Sequence, residues 1–356
     1  MNASHTGLVG TSALALVLFA GCSAPKPPIT APVEVEIAAA PASGHTGVVL
    51  LEDFVGRQIF PASDGWNLDA SQAPVDSNSQ AYIDWISGRT AGDSTATCRP
   101  QAYFGPPPWG IPYVGVSGTQ ALLPVAFLSY PAESDPGAPG RPTGYPIPVE
   151  ARLQTGFVEG NVAGGGTLGD RRLIVVDRDH GLLFEVADAH WNAGSGRWEG
   201  ACGATFDLAT GAARPDGWTS ADAAGLAVFP GLVRYDEAYG TGEITHAFRT
   251  TMRATNGHVW PASHTSGSTI GAPPMGTRLR LKASVDLSAY PPEMQRIFRA
   301  MQTHGLIIAD NGGCDLGVTG TMDPRWDSRV VYPAFATLTA DDFEVVQLGW
   351  GRPVTP

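Results

Sequence analysis

Residues 172–187 read Arg-Leu-Ile-Val-Val-Asp-Arg-Asp-His-Gly-Leu-Leu-Phe-Glu-Val-Ala, two apolar runs around Asp179-His180-Gly181. Short runs rich in Val, Ile and Leu, hinged on a glycine, read as a β-hairpin with Gly181 at the left-handed position of a three-residue loop. Side chains alternate across a sheet, so the pairing follows by counting. Arg178 then faces Leu182, Asp177 faces Leu183, Val176 faces Phe184 and Val175 faces Glu185. This register collects Ile174, Val176, Leu182, Phe184 and Val186 on one apolar face. It places Asp177 and Glu185 on the other face among Leu173, Val175 and Leu183, diagonal to each other and roughly 7–8 Å apart at Cα.

The same reading extends outward. Residues 277–287 alternate, with Leu279, Leu281, Ala283, Val285 and Leu287 on a core face and Arg278, Arg280, Lys282 and Asp286 on a wet one. Residues 242–253 bring Ile244, His246, Phe248 and Met252 together. A helix is expected over 292–304, where Met294, Ile297, Phe298 and Met301 form a stripe between Pro291-Pro292 and Gly305. Residues 306–309 read as a buried strand, and shorter strands are expected at 47–54, 113–116, 125–129 and 343–348. The 44 Gly and 30 Pro among 356 residues disfavour long helices. No fixed-period repeat appears, which argues against propellers and solenoids. The expected fold is all-β: a single antiparallel β-sandwich or jelly-roll-like domain over residues 46–356, with one packed helix.

Charge and the N-terminus point to a location. With 22 Lys+Arg against 34 Asp+Glu the net charge is −12, which repels a polyphosphate backbone, so no nucleic-acid partner is expected. A monomer is expected. Residues 8–20 are apolar but too short to span the ~30 Å hydrocarbon core. They end in Phe19-Ala20-Gly21-Cys22, which looks like the lipobox of bacterial lipoproteins, although residues 1–7 lack Lys and Arg and Phe19 replaces the usual Leu. The expectation is a signal peptide at 1–21, lipidation of Cys22, a Pro/Ala-rich tether over 22–45, and an extracytoplasmic protein held to the bacterial envelope membrane by its N-terminal lipid. Cys98, Cys202 and Cys314 remain, in a compartment where disulfides persist. Spacing leaves all three pairings open; Cys202 with Cys314 is preferred.

Several segments are familiar, among them Trp66-Asn67-Leu68-Asp69, Arg214-Pro-Asp-Gly-Trp-Thr-Ser-Ala-Asp-Ala-Ala-Gly225, Pro230-Gly-Leu-Val-Arg-Tyr-Asp-Glu237 and Ala309-Asp-Asn-Gly312. From about residue 60 to 345 the chain resembles a family of secreted bacterial proteins. The resemblance implies export and a single domain, and it implies no particular reaction. The chain departs from the family at Cys98-Arg-Pro-Gln-Ala-Tyr-Phe104, where a His-Pro pair is expected, and in its extra cysteines.

Function is therefore argued from side chains. Glycoside hydrolysis commonly uses two carboxyl groups, ~5–5.5 Å apart for retention or ~6.5–9.5 Å for inversion. Asp177 and Glu185 could meet either distance, and their apolar neighbours would raise a general acid's pKa. Asp216-Gly-Trp218-Thr-Ser-Ala-Asp222 combines an aromatic platform with hydroxyls and acids, so Trp218 and Trp260 are candidate sugar platforms and Asp222 a further catalytic acid. Arg234 could neutralise a carboxylate on a ligand, and His246 could serve a polysaccharide lyase as base. Asp310 is a candidate substrate contact; with Asn311, Gly312 and Asp315 it could also form an oxygen-rich calcium loop. No other cofactor and no transition-metal site is expected. There is no Gly-x-Ser-x-Gly elbow, Walker loop or Rossmann fingerprint. These features suggest a surface-anchored protein acting on polysaccharide, foremost a glycoside hydrolase using the carboxylate pair. A non-catalytic carbohydrate-binding envelope lipoprotein and a polysaccharide lyase are the alternatives.

Overall fold

Short β-branched and aromatic runs between Gly and Pro turns become short strands. The computed structural model describes residues 47–54, 57–89, 96–167, 169–211, 214–312 and 316–353. The signal, lipidation and tether expectations, with Cys22 and Cys314, fall outside those residues. Residues 45–356 form one compact unit. In chain order its elements are β1 (Val49–Leu50), α1 (Ser79–Ile86), β2 (Gln101–Gly105), β3 (Val114–Val116), β4 (Val125–Phe127), α2 (Glu150–Leu153), β5 (Leu173–Asp177), β6 (Leu182–Ala187), β7 (His190–Asn192), β8 (Arg197–Gly200) and β9 (Cys202–Asp207). There follow α3 (Tyr235–Ala238), β10 (Phe248–Met252), β11 (Arg278–Leu281), α4 (Pro292–Thr303), β12 (Leu306–Asn311), β13 (Gly317–Met322), α5 (Ser328–Phe335) and β14 (Phe343–Val345).

The strands form three sheets, ordered β1-β3-β5-β6-β9, β14-β11-β12-β10-β13-β2 and β4-β8-β7. The β-rich character agrees with the sequence reading; two details do not. The sheets are mixed, because β3 runs parallel to β5, β12 to β10, β2 to β13 and β4 to β8. Four α-helices accompany the expected α4 among the described residues.

One face of the first sheet, through Ile174, Val176, Leu183, Ala204 and Phe206, shares a core with Phe248, Leu279, Leu306 and Val318 of the second sheet and with Met294, Ile297, Phe298 and Met301 of α4. The opposite face packs Leu173, Val175, Phe184 and Val186 against Tyr145, Ile147 and Trp198 of the third-sheet side. Burying each such side chain contributes about 1.5–3 kcal/mol, so a sheet with two apolar faces is held firmly from both sides.

The hairpin differs from its predicted register by one residue. Asp177 pairs with Leu182, Val176 with Leu183, Val175 with Phe184 and Ile174 with Glu185. The loop holds four residues, 178–181, because Asp177 closes it: its Oδ1 accepts the His180 N–H at 3.1 Å and its Oδ2 lies 2.8 Å from His180 Nδ1. A one-residue slip turns one strand's side chains to the other face relative to its partner.

The predicted wet face of β11 is also corrected. Arg278 and Arg280 are only 5% and 8% exposed. Arg278 donates to the carbonyls of His304 and Gly65, and Arg280 to those of Ala70 and Ala73 as well as to Glu344. Loop carbonyls that lack a ladder partner are thereby satisfied, which ties residues 65–73 to the sheet.

Candidate functional site

The slipped register separates the expected catalytic pair. Asp177 lies on the face with Leu173 and Val175, whereas Glu185 faces the larger core beside Ile174, Val176 and Ala204. Glu185 is fully buried. Its Oε1 and Oε2 accept the Val228 N–H at 3.0 and 2.9 Å, and Oε1 accepts that of Phe229 at 2.8 Å, which caps the short 3-10 turn Phe229–Gly231. Burial pushes its pKa up to about 7 against the pull of these donors. The carboxyl group has the raised pKa expected of an acid but serves two backbone amides inside the core.

Asp222 and Asp310 belong to a buried ionic chain. Asp222 accepts Arg249 Nε and Nη2 at 2.7 Å each, a bidentate pair, and Arg249 Nη1 donates to Thr319 Oγ1 at 2.8 Å. Asp310 Oδ2 then accepts Nη2 of both Arg249 and Arg172 at 2.6 Å. Arg172 continues to Asp170 at 2.7 Å and Glu159 at 3.3 Å. Arg172 precedes β5, Arg249 lies on β10 and Asp310 on β12, so the chain ties the first sheet to the second. Burial raises the Asp222 pKa, opposed by Arg249. Asp310 Oδ1 accepts the Asn311 N–H at 2.8 Å. A calcium ion at Asp310 would have to displace these donors, and Asp315 lies outside the described residues. No cluster of three or more His, Cys, Asp or Glu suited to a metal occurs among the described residues.

Arg234, Glu237 and His246 form a second buried group. Arg234 donates to Glu237, whose Oε2 lies 3.0 Å from His246 Nε2, while His246 Nδ1 lies 2.9 Å from the Ala247 carbonyl. Burial raises the Glu237 pKa, but Arg234 and His246 together outweigh it and hold the carboxyl below its usual range. Both His246 nitrogens are occupied and the residue is 5% exposed, so it has no ring nitrogen free to take a substrate proton.

The two expected sugar platforms, Trp218 and Trp260, are both half-buried. The Arg214 guanidinium stands 5.4 Å over the half-buried Trp218 ring. Trp260 packs against Gly65 and Gly351, beside a gap of about 10 Å³ shared with Arg278 and Trp350, room for about one water. Cys202 carries a free, buried thiol that accepts the Ser134 hydroxyl at 3.4 Å, and its expected disulfide partner Cys314 lies outside the described residues. Burial pushes this thiol's pKa up, which makes it a poor nucleophile.

A site absent from the sequence reading lies on the third sheet. Residues 190–200 form the hairpin β7–β8, closed by Asn192, whose Oδ1 accepts the N–H groups of Gly194 and Ser195 at 2.9 and 3.1 Å. Trp191 and Trp198 are directly paired across it, their rings 6.0 Å apart and edge to face. Trp198 is buried in the second core, while Trp191 is half-buried and forms one wall of a cleft of about 330 Å³. Leu123, Pro124, Ile147 and Pro148 supply apolar walls; Gln120, Arg152 and Arg197 bring polar groups. Arg152, on α2, holds its guanidinium 4.9 Å over the Trp191 ring. Arg197 donates Nε to Glu199 at 3.1 Å. Apolar walls with a few convergent polar groups, at the small end of ligand-pocket volumes, make this cleft the candidate binding site. The sequence does carry a signal for it: two Trp seven residues apart around Asn-Ala-Gly-Ser-Gly, a hairpin with a mirrored aromatic pair.

No known protein family, no curated protein and no solved structure matches this chain.

Proposed function

We propose that this protein is a non-catalytic carbohydrate-binding lipoprotein of the bacterial envelope, a layered β-sandwich whose ligand site is the Trp191 cleft. The observation that carries the reading is that cleft: aliphatic and proline walls suited to the C–H face of a pyranose, with the donors of Gln120, Arg152 and Arg197 at its edge for hydroxyls. It gains support from the separation of Asp177 and Glu185, since a hydrolase would need two carboxyl groups flanking one bond. A lyase reading is weakened by the occupied nitrogens of His246. The apolar 8–20 stretch and the Ala-Gly-Cys22 sequence support export and lipidation, with 22–45 as a spacer between membrane and domain.

Two experiments test this. On an array of envelope and plant glycans the full chain should retain at least one oligosaccharide without cleaving it, and Trp191→Ala should weaken that binding at least tenfold. A chain that retains no glycan, or that releases shortened products, would overturn the proposal. In bacterial cells, wild-type protein should incorporate an alkyne-tagged fatty acid and Cys22→Ser should not; persistent labelling of the variant would place the lipid elsewhere.

A further inference from the structure

Arg152 stands apart from Arg197, the other cation lining the cleft, which is engaged by Glu199. Among the described residues the Arg152 side chain has only the Trp191 ring as a partner, its guanidinium carbon 4.9 Å from the ring centroid. A contact with a ring engages no carboxylate or carbonyl acceptor, so the guanidinium keeps N–H donors in the fork geometry that matches a carboxylate. The indole also restrains the side chain, so less freedom is lost when an anion arrives. The cleft walls add no compensating acid: of its twelve lining residues none is Asp or Glu. A cationic fork at the rim of an apolar cleft is complementary to a ligand with an apolar ring face and one negative group.

The rest of the molecule limits how much negative charge that ligand carries. At a net charge of −12 the chain repels a dense polyanion, and the cleft offers one cation without a protein anion to meet it. We infer that the cleft selects a pyranose bearing a carboxylate, a uronic-type sugar, with Arg152 receiving the carboxylate and the ring packing on the walls formed by Leu123, Ile147 and Pro148. This inference rests on the glycan-binding reading above.

The test compares trigalacturonate with its fully methyl-esterified form by calorimetric titration of the full chain in low salt. The acid should bind at least tenfold more tightly than the ester, and the gap should narrow with added salt, as screening requires. Arg152→Gln should shrink the preference to less than twofold, with the larger loss falling on the acid and the melting temperature unchanged. Trp191→Ala should weaken both forms. Equal affinity for acid and ester, or a preference that survives Arg152→Gln, overturns the inference and leaves glycan binding standing. Binding of neutral glycans with neither trigalacturonate form bound likewise overturns the selection of a uronic-type sugar alone. Failure to bind any glycan overturns both.

Discussion

Glu185 shows how one side chain can look catalytic and act structurally. Its pKa of about 7 exceeds the ordinary 4.5, so between those values the folded state binds more protons than the unfolded one. Its stabilisation is therefore fully present below 4.5 and is lost as pH rises through 7, a change of about 3 kcal/mol at 1.36 kcal/mol per unit. Asp64, raised by burial to about 6, acts in the same direction. Urea unfolding at pH 5 and pH 8 should show the wild type less stable at the higher pH, and Glu185→Gln should remove most of that difference because an amide does not titrate, while its oxygen can still accept the Val228 and Phe229 N–H groups. An unchanged pH slope in the variant would show that Glu185 does not carry it. Arg249 supplies the second residue-level prediction. Arg249→Ala leaves Asp222 unpaired and Asp310 with Arg172 alone, so it should cost about 3–5 kcal/mol in denaturant unfolding.

At the scale of elements, the local code is readable where an element has its own punctuation. Helix α4 runs from Pro292 to Thr303 with Gly305 at φ +81 beyond its end, as the proline start and glycine stop imply. The strands β3, β4 and β14 fall inside the predicted runs, and β12 starts at the predicted Leu306 and runs two residues further. The hairpin β5–β6 is recognisable as a hairpin, yet counting alone misplaces its faces, because an Asp at a strand end adds a turn residue when its carboxylate captures an N–H three residues on. The hairpin β7–β8 depends on a further close approach. Gly165, at φ +100, sits where a Cβ would come within 2.1 Å of the Ala189 carbonyl, just before β7. Gly165→Ala should therefore destabilise the fold by more than about 1 kcal/mol and displace Trp191, lowering glycan affinity with it. Melting and titration of the one variant check both effects.

At the scale of the whole molecule, stability comes from two cores on either side of one sheet and from the arginines that cross between segments. The 65–73 loop is held by Arg278 and Arg280, and the two larger sheets are joined through Arg172, Asp310, Arg249 and Asp222. All of these lie within the unit of residues 45–356. A chain starting at His45 should melt within a degree or two of the full chain and bind glycan equally well. A large drop in melting temperature would mean that the N-terminal segment contributes to the fold.

The sequence by itself determined that this is a β-rich chain of short strands, with an amphipathic α4, few charges and an N-terminal stretch that reads as an export signal. Alternation within a strand and the punctuation by Gly and Pro are local properties, so they survive without knowledge of the fold. The tertiary structure decided everything that depends on one segment meeting another. It set which faces Asp177 and Glu185 occupy, because relative facing depends on loop length as well as alternation. It buried Arg278 and Arg280, whose carbonyl partners on the 65–73 loop lie more than 200 residues away. It paired Arg172 with Asp310 across 138 residues. And it assembled the candidate site from residues 120–124, 147–152 and 191–198, three segments that share a cleft only once the sheets have packed.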